Sequence, residues 1–300
     1  MTRMQLKGLG VALVTPFKAD KSVDYPALIR MVEFVIQGDC DYIVVLGTTG
    51  ETPSLFNEEK TKIRETIKEV NAGRKPLILG HGGNNTRKLI KRLEDIDTDG
   101  FSALLSVVPY YNKPSQDGIY QHFKALSDAS PLPVILYNVP SRTGVNMTAA
   151  TTLALAHSCP NIIGTKEASG DFAQIEEIIK NKPEHFEVIS GDDSITYPLM
   201  ALGAVGVISV IGNAFPKEFG RMVRLCLEGK FQEALPIHWR FNELFNLLFV
   251  DGNPAGVKCT LNALGLIENE LRLPLVRTCI STNEKIHKLI ASLSTQNSIP

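Results

Sequence analysis

Short apolar runs rich in β-branched residues recur along the first two thirds of the chain, and no other feature constrains the fold as much. Eight are found: Gly10 to Thr15, Tyr42 to Gly47, Pro76 to Gly80, Phe101 to Val108, Pro133 to Tyr137, Asn161 to Lys166, Phe186 to Ser190 and Gly206 to Val210. Most lack the polar alternation of a strand with one wet face, so each is expected to be covered on both faces. Between them lie segments of helical periodicity. Leu28, Met31, Val32, Val35 and Ile36 form a stripe that starts near Asp24-Tyr25-Pro26 and stops at Gly38, with an acidic cap and early proline at one end and a glycine at the other. Leu89, Ile90, Leu93 and Ile96 form a second stripe, Ile175, Ile178 and Ile179 a third, and Phe219, Met222, Val223 and Cys226 a fourth.

Eight buried strands with helices between them, repeating every ~20 to 33 residues, predict a (β/α)8 TIM barrel. An open doubly wound sheet is the alternative. It requires a Gly-x-Gly-x-x-Gly turn after the first strand, where Val14-Thr15-Pro16-Phe17 stands instead. The turn Gly80-His81-Gly82-Gly83-Asn84 does not match that fingerprint and reads as a tight connection. From Gly229 onward the pattern changes to helices alone, over Phe231 to Phe249, Val257 to Leu266 and Pro274 to Leu293. The expected organisation is a catalytic barrel over residues 1–228 and a C-terminal helical extension over 229–300. Trp239, Phe241, Leu244, Phe245, Leu248 and Phe249 exceed what one helix needs to cover a barrel face. Packing within the tail and an oligomer interface each account for them.

Composition narrows the function. A chain of 300 residues that is 44% hydrophobic can bury a large core, and its formal net charge of -1 offers no basic surface to a polyanion, so nucleic acid is not an expected partner. No apolar stretch reaches membrane-spanning length and no leader-like segment opens the chain, so a cytoplasmic protein is expected. The five cysteines include no Cys-x-x-Cys pair and the six histidines no His-x-x-x-His pair, which speaks against a structural metal or a disulfide framework.

In a parallel barrel the C-terminal ends of the strands open onto one face, where active sites sit. Those ends carry Thr15, Gly47-Thr48-Thr49-Gly50-Glu51, Pro109-Tyr110-Tyr111-Asn112, Tyr137-Asn138, Lys166-Glu167, Gly191-Asp192-Asp193 and Ser209. The set is mostly hydroxyls around one lysine. An ammonium at a barrel mouth, behind an apolar strand, is desolvated, which lowers a lysine from ~10.4 toward ~7 to 8 and frees an amine able to form an imine with a ketone. The plainer alternative pairs Lys166 with Glu167 or Asp171. Tyr137 on the adjacent strand has the high intrinsic pKa suited to a proton shuttle, relayed by the Thr48 hydroxyl, and the Thr48-Thr49 turn exposes amides and hydroxyls suited to a carboxylate. With no phosphate cradle or nicotinamide fingerprint beside them, these residues point to a small keto acid as substrate and to no cofactor.

Five motifs extend this reading. Gly47 to Glu51, Tyr110-Tyr111-Asn112-Lys113-Pro114, Leu136 to Gly144, Gly164 to Asp171 and Ser190 to Asp193, in this order and at this spacing, resemble the dihydrodipicolinate synthase family of the N-acetylneuraminate lyase superfamily. The resemblance runs from about Gly8 to the C-terminal helices. It implies a condensation of pyruvate, as a Schiff base on Lys166, with L-aspartate 4-semialdehyde in the diaminopimelate route to lysine. It further implies a relay of Tyr137, Thr48 and Tyr111, with Tyr111 supplied by the neighbouring subunit, in a homotetramer built as a dimer of dimers. Thr49 would hold the pyruvate carboxylate, Arg142 the carboxylate of the semialdehyde, and Gly191 and Ile208 would offer backbone carbonyls nearby.

The sister reading within the superfamily is a lyase or aldolase for sialic acid or keto-deoxy sugar acids, and Arg142 separates the two, because a polyhydroxylated chain calls for neutral partners there. A barrel that binds a keto acid without turning it over would be expected to lack Lys166 or Tyr137, and both are present. Two positions depart from the family's usual pattern: His81 replaces a small hydroxyl residue and Thr165 replaces an aliphatic one, the latter expected to touch the packing around the imine. Lysine-inhibited members carry an acidic residue at the position of Lys88 and histidines at those of Asn57 and Lys60. Inhibition by lysine is therefore expected to be weak or absent here.

Overall fold

Strands whose two faces are both apolar need a layer on each side, and closing the sheet on itself supplies one of them. The computed structural model describes residues 4–296, with side chains up to Leu293, so the outermost residues of both expected regions, 1–3 and 297–300, lie outside the described residues. The chain runs β1 (Gly8–Ala12), α1 (Tyr25–Gln37), β2 (Tyr42–Val45), α2 (Asn57–Asn71), β3 (Leu77–Gly80), α3 (Thr86–Asp95), β4 (Ala103–Val107), α4 (Gln116–Ala129) and β5 (Val134–Asn138). A short α5 (Pro140–Thr143) and α6 (Ala149–Ser158) lead to β6 (Ile162–Glu167), α7 (Phe172–Asn181), β7 (Glu187–Ser190), α8 (Asp193–Ala201), β8 (Gly206–Ser209) and α9 (Pro216–Leu227). Three further helices follow without a strand: α10 (Phe231–Leu247), α11 (Ala255–Ala263) and α12 (Ile280–Gln296).

The strands form a closed barrel in sequence order, every neighbouring pair parallel, and β8 returns to β1 with Gly8 opposite Gly206. This is the expected (β/α)8 barrel, and closure removes the open-sheet alternative. Alternation along each strand divides the apolar side chains between two cores. Tyr42, Val44, Ile78, Leu105, Ile135, Ile189 and Ile208 fill the interior. Ile43, Val45, Leu104, Leu136 and Val188 face outward against Leu28, Met31, Ile63, Phe123 and Ile175 of the helices. Each such side chain contributes about 1.5–3 kcal/mol on burial, which is why the strands read as uninterrupted apolar runs.

Several helices begin at the barrel mouth with a side-chain cap: Asn85, Ser115, Thr148 and Asp171 each accept from the backbone N–H three residues on. Such caps, about 1 kcal/mol each, fix where the loops around the mouth end.

Among the boundaries that differ from the sequence expectation, two show their physical setting plainly. β1 begins at Gly8 and not at Gly10. The reason lies inside the barrel, where a Cβ at Gly10 would stand 2.0 Å from the Tyr42 ring, so the glycine is a strand residue that makes room for a large neighbour. α12 begins at Ile280, and Pro274 to Cys279 form no helix, with the Cys279 N–H donating to Asp251 Oδ2 at 2.9 Å.

The aromatic residues of α10 split in two. Phe241 lies 5.0 Å from Phe215 and 6.4 Å from Phe219 between ring centroids, and Phe245 lies 5.9 Å from Phe219, so α10 packs on α9. Leu244 and Leu248 are buried with them, whereas Trp239 is 65% exposed. Among the described residues no helix is long and apolar enough to cross a membrane.

Candidate active site

The pairing register of two strands decides the centre of the site. Tyr137 of β5 stands opposite Lys166 of β6, and both side chains point into the barrel mouth, where Lys166 Nζ lies 4.3 Å from the centroid of the Tyr137 ring. Both are buried, at 6% and 7% exposure. Gly191, at the end of β7, gives the lysine its space: a Cβ there would meet Lys166 Cε at 3.0 Å and Ala168 Cβ at 2.8 Å.

Neither candidate counter-ion neutralises Lys166. Glu167, next along the strand, faces the other way, accepting from Asn138 Nδ2 at 3.1 Å and from the Ser169 N–H at 2.8 Å, and burial raises its pKa. Asp171 caps α7 by accepting from the Gln174 N–H at 3.1 Å. Among the described residues the lysine has no ion-pair partner. Thr165 lies on the opposite face of β6, in register with Leu136 and Val188 of the outer core, so its expected contact with an imine is not formed.

A cavity of about 670 Å³ opens over this pair, and Thr48, Thr49, Tyr137, Arg142, Lys166, Gly191 and Ile208 all line it. Thr48–Gly50 is a single 3-10 turn closed by the Gly50 N–H donating to Gly47 O at 3.1 Å. Thr15 supports the turn from below, its hydroxyl donating to Gly50 O at 2.8 Å. Thr48 is exposed to the cavity and Thr49 is buried, with its Oγ1 accepting from Asn253 Nδ2 at 3.1 Å, which leaves the Thr49 hydroxyl proton free to donate to a ligand. Arg142 sits on the short α5, its Nη2 3.5 Å from Asn253 O. Asp193 ties down the loop after β8, its Oδ2 accepting from the N–H groups of Val210 and Ile211 at 2.9 and 2.8 Å, and burial pushes its carboxyl up to about 6.

Tyr111 is the one expected site residue that the single chain does not bring to the others. It is 84% exposed, has a backbone φ of 74°, and is not part of the cavity wall, whereas Tyr110 is.

Three residues, Asn253, Phe249 and Glu51, take roles here that the sequence reading did not give them. Asn253 and Phe249, from the segment after α10, close one side of the cavity. Glu51, the residue after the Thr48–Gly50 turn, is fully buried against Lys258 of α11, 2.5 Å from its Nζ. No local pattern joins Glu51 to Lys258 or brings Asn253 to the turn, because partners about 200 residues apart are fixed only by tertiary packing. Among the described residues no group of three or more histidine, cysteine, aspartate or glutamate side chains is placed to hold a metal ion.

Comparison with known proteins agrees over nearly the whole chain. Residues 5–293 match the model of the Dihydrodipicolinate synthetase family. A 4-hydroxy-tetrahydrodipicolinate synthase of Phocaeicola vulgatus is 61% identical, the match covering 98% of this chain and 99% of the relative. One of Parabacteroides distasonis is 60% identical, over 98% and 99%. The crystal structure of dihydrodipicolinate synthase from Aquifex aeolicus superposes with a TM-score of 0.92 at 42% identity, covering 96% of this chain and 98% of that one.

Proposed function

The chain belongs to the dihydrodipicolinate synthetase family and is a lyase, and from that premise we propose that its barrel mouth condenses pyruvate with L-aspartate 4-semialdehyde, as a 4-hydroxy-tetrahydrodipicolinate synthase. The observation that carries this reading is the juxtaposition of Lys166 Nζ and the Tyr137 ring at 4.3 Å in one cavity with Thr48, Thr49 and Arg142.

The Lys166 amine attacks C2 of pyruvate, water leaves, and an imine forms. Loss of a C3 proton gives the enamine, whose C3 attacks the aldehyde carbon of the second substrate, and the new alkoxide takes up a proton. The amino group of that substrate then adds to the imine carbon and displaces the Lys166 amine, which closes the ring and frees the enzyme. Two features suit Lys166 to the first step: no carboxylate holds its proton, and the wall around it is mostly apolar. Tyr137 and Thr48 move protons between the carbinolamine and the cavity. Thr49 and the turn amides hold the pyruvate carboxylate. Arg142 pairs with the carboxylate of the semialdehyde, a contact worth roughly 1.5 to 3 kcal/mol. The chemistry needs no cofactor. Gly191 and Ile208 offer backbone carbonyls beside the lysine.

Tyr111, pointing out of its own chain, serves the site of a neighbouring subunit, within a homotetramer built as a dimer of dimers. The five cysteines, all free thiols, suit the reducing cytoplasm. Lysine inhibits weakly or not at all, because Lys88 and Lys60 present cations where a ligand ammonium needs an anion.

The test is mass spectrometry after borohydride reduction. Pyruvate present during reduction adds one reduced pyruvyl group per chain, on Lys166, and a coupled assay with the next reductase reports turnover only when the semialdehyde is supplied. An adduct on another lysine, or none from active enzyme, overturns the assignment. Subunit exchange tests Tyr111. Mixing inactive Lys166→Ala with slow Tyr111→Phe restores part of the activity, because one hybrid site receives both wild-type groups. No recovery despite demonstrated exchange assigns Tyr111 to its own chain.

A further inference from the structure

The cavity changes character away from Lys166. There its wall is made by Lys60 and Arg64 of α2, Arg92 of α3, and His81 and Tyr110 from the loops after β3 and β4. Lys60 and Arg64 are four residues apart, so they stack on one face of their helix. Arg92 reaches the same space from the neighbouring helix, its Nη2 donating to Gly82 O at 3.3 Å. Three cations therefore converge on one concave surface.

Of the carboxylates that act on these cations, Glu65 raises the pKa of Arg64 without pairing with it, and two are already committed. Glu59 is held bidentately by Arg272 at 2.6 Å through both oxygens, and Asp97 is held by Lys68 at 2.6 Å. Arg64 donates to the Thr61 hydroxyl at 3.0 Å, a neutral partner. Among the described residues neither Lys60 nor Arg64 nor Arg92 has an ion pair. The charges consequently press on one another. Burial lowers the pKa of Lys60, and the Arg92 and Arg64 guanidiniums lower it further. Burial also lowers Arg64. His81, its Nε2 donating to Leu89 O at 3.0 Å, is pushed down to about 4 by burial and stays neutral, so it adds no charge to the cluster at neutral pH. Lys60 and Arg64 are half-buried and Arg92 is exposed, and like charges drawn together without counter-ions are held at a cost that a bound anion removes.

We infer that this end of the cavity binds a small polyvalent anion with at least two oxygens to share, a dicarboxylate or inorganic phosphate, held by Arg64 and Arg92 in the forked geometry of guanidinium pairs and by Lys60 as a point charge. These residues share a cavity with Lys166 but none of them is assigned to the lysine chemistry, and the inference does not depend on the identity of the substrates there.

The experiment is isothermal titration of the full-length protein with malonate, which has no keto group to form an imine, and with inorganic phosphate, at ionic strength fixed with chloride. Saturable binding of one of the two is expected, and which one binds separates the carboxylate source from the phosphate source. Lys60→Gln with Arg64→Gln weakens it at least about tenfold, the loss of two charge-assisted contacts, with an unchanged melting curve. Lys60→Arg retains it, and Lys166→Ala binds as the wild type does. L-lysine does not compete. Absence of binding by both anions, undiminished binding in the double variant, or loss of binding in Lys166→Ala overturns the proposal. So does a double variant whose only change is a smaller oligomer, since the cations then serve a partner's carboxylates.

Discussion

At the mouth of the barrel Lys166 lies against the Tyr137 ring and faces a cavity; at the seam between barrel and C-terminal helices Lys258 lies against another ring, 4.1 Å from the Phe17 centroid, and faces nothing but protein. Both are lysines withdrawn from water beside an aromatic face, yet their surroundings give them opposite uses. Lys258 is fully buried, 2.5 Å from Glu51, and donates to Glu270 O at 2.8 Å. Burial pulls its pKa down to about 8 and the Glu51 carboxylate opposes that pull, so it stays charged at neutral pH. Glu51 also accepts from the Arg272 N–H at 3.1 Å, and its own left-handed backbone, φ 52°, ends the turn that carries Thr48 and Thr49. The seam pair is thus a brace for the turn at the mouth. Depth alone does not make a lysine a nucleophile; what separates the two is the carboxylate that one has and the other lacks.

Exchanging the two losses tests this contrast most severely. Lys166→Ala is expected to lower turnover by at least ~10³-fold, since the covalent step is gone, while changing the unfolding free energy little, because no charged partner is stranded. Lys258→Met strands the Glu51 carboxylate in a sealed site and is expected to cost about 3–5 kcal/mol, with borohydride trapping on Lys166 retained in whatever folds. Pairing it with Glu51→Leu removes the stranded charge and restores much of that stability. Denaturant melts and trapping on the same four proteins decide the matter. The contrast breaks if Lys166→Ala destabilises as much as Lys258→Met, or if folded Lys258→Met no longer forms the adduct.

The mouth was legible in the sequence and the seam was not, for a physical reason. Strands covered on both faces are uninterrupted apolar runs, so the ends of seven of the eight runs fell within two residues of strand ends, and β1, with two glycines, was the one misplaced. Once the barrel is accepted, Lys166, Tyr137, Thr48, Thr49 and Gly191 follow from being at those ends. Helix α2 left a weaker trace, since only Ile63, Ile67 and Asn71 of its residues are buried. Asn253 and Lys258 left none, because a side chain that meets the barrel about 200 residues away in sequence produces no local period. Glu51 was read as part of a motif, but its partner is fixed only by tertiary packing.

A smaller effect extends the contrast from lysines to imidazoles. His122 of α4 is 4% exposed; its Nδ1 lies 2.8 Å from the Thr86 hydroxyl, and its Nε2 is buried without a hydrogen-bond partner. With no carboxylate to hold a proton, burial alone pushes its pKa down to about 4. The unfolded chain, near 6.5, binds a proton that the folded chain refuses between those values, so the stability due to His122 is complete above about pH 6.5 and is lost as pH falls toward 4. From pH 7 to pH 5 the loss is about 2 kcal/mol. His81 acts in the same direction, and Asp193 in the opposite one, because a carboxyl raised to about 6 binds its proton more readily in the folded state. Replacing His122 by Gln, which keeps a partner for Thr86, should flatten the fall in unfolding free energy between pH 7 and 5, whereas Asp193→Asn should steepen it. Equal slopes in wild type and His122→Gln, measured by urea denaturation at both pH values, would mean that the imidazole finds a counter-charge in the folded protein, and the rule drawn from the two lysines would not carry over to it.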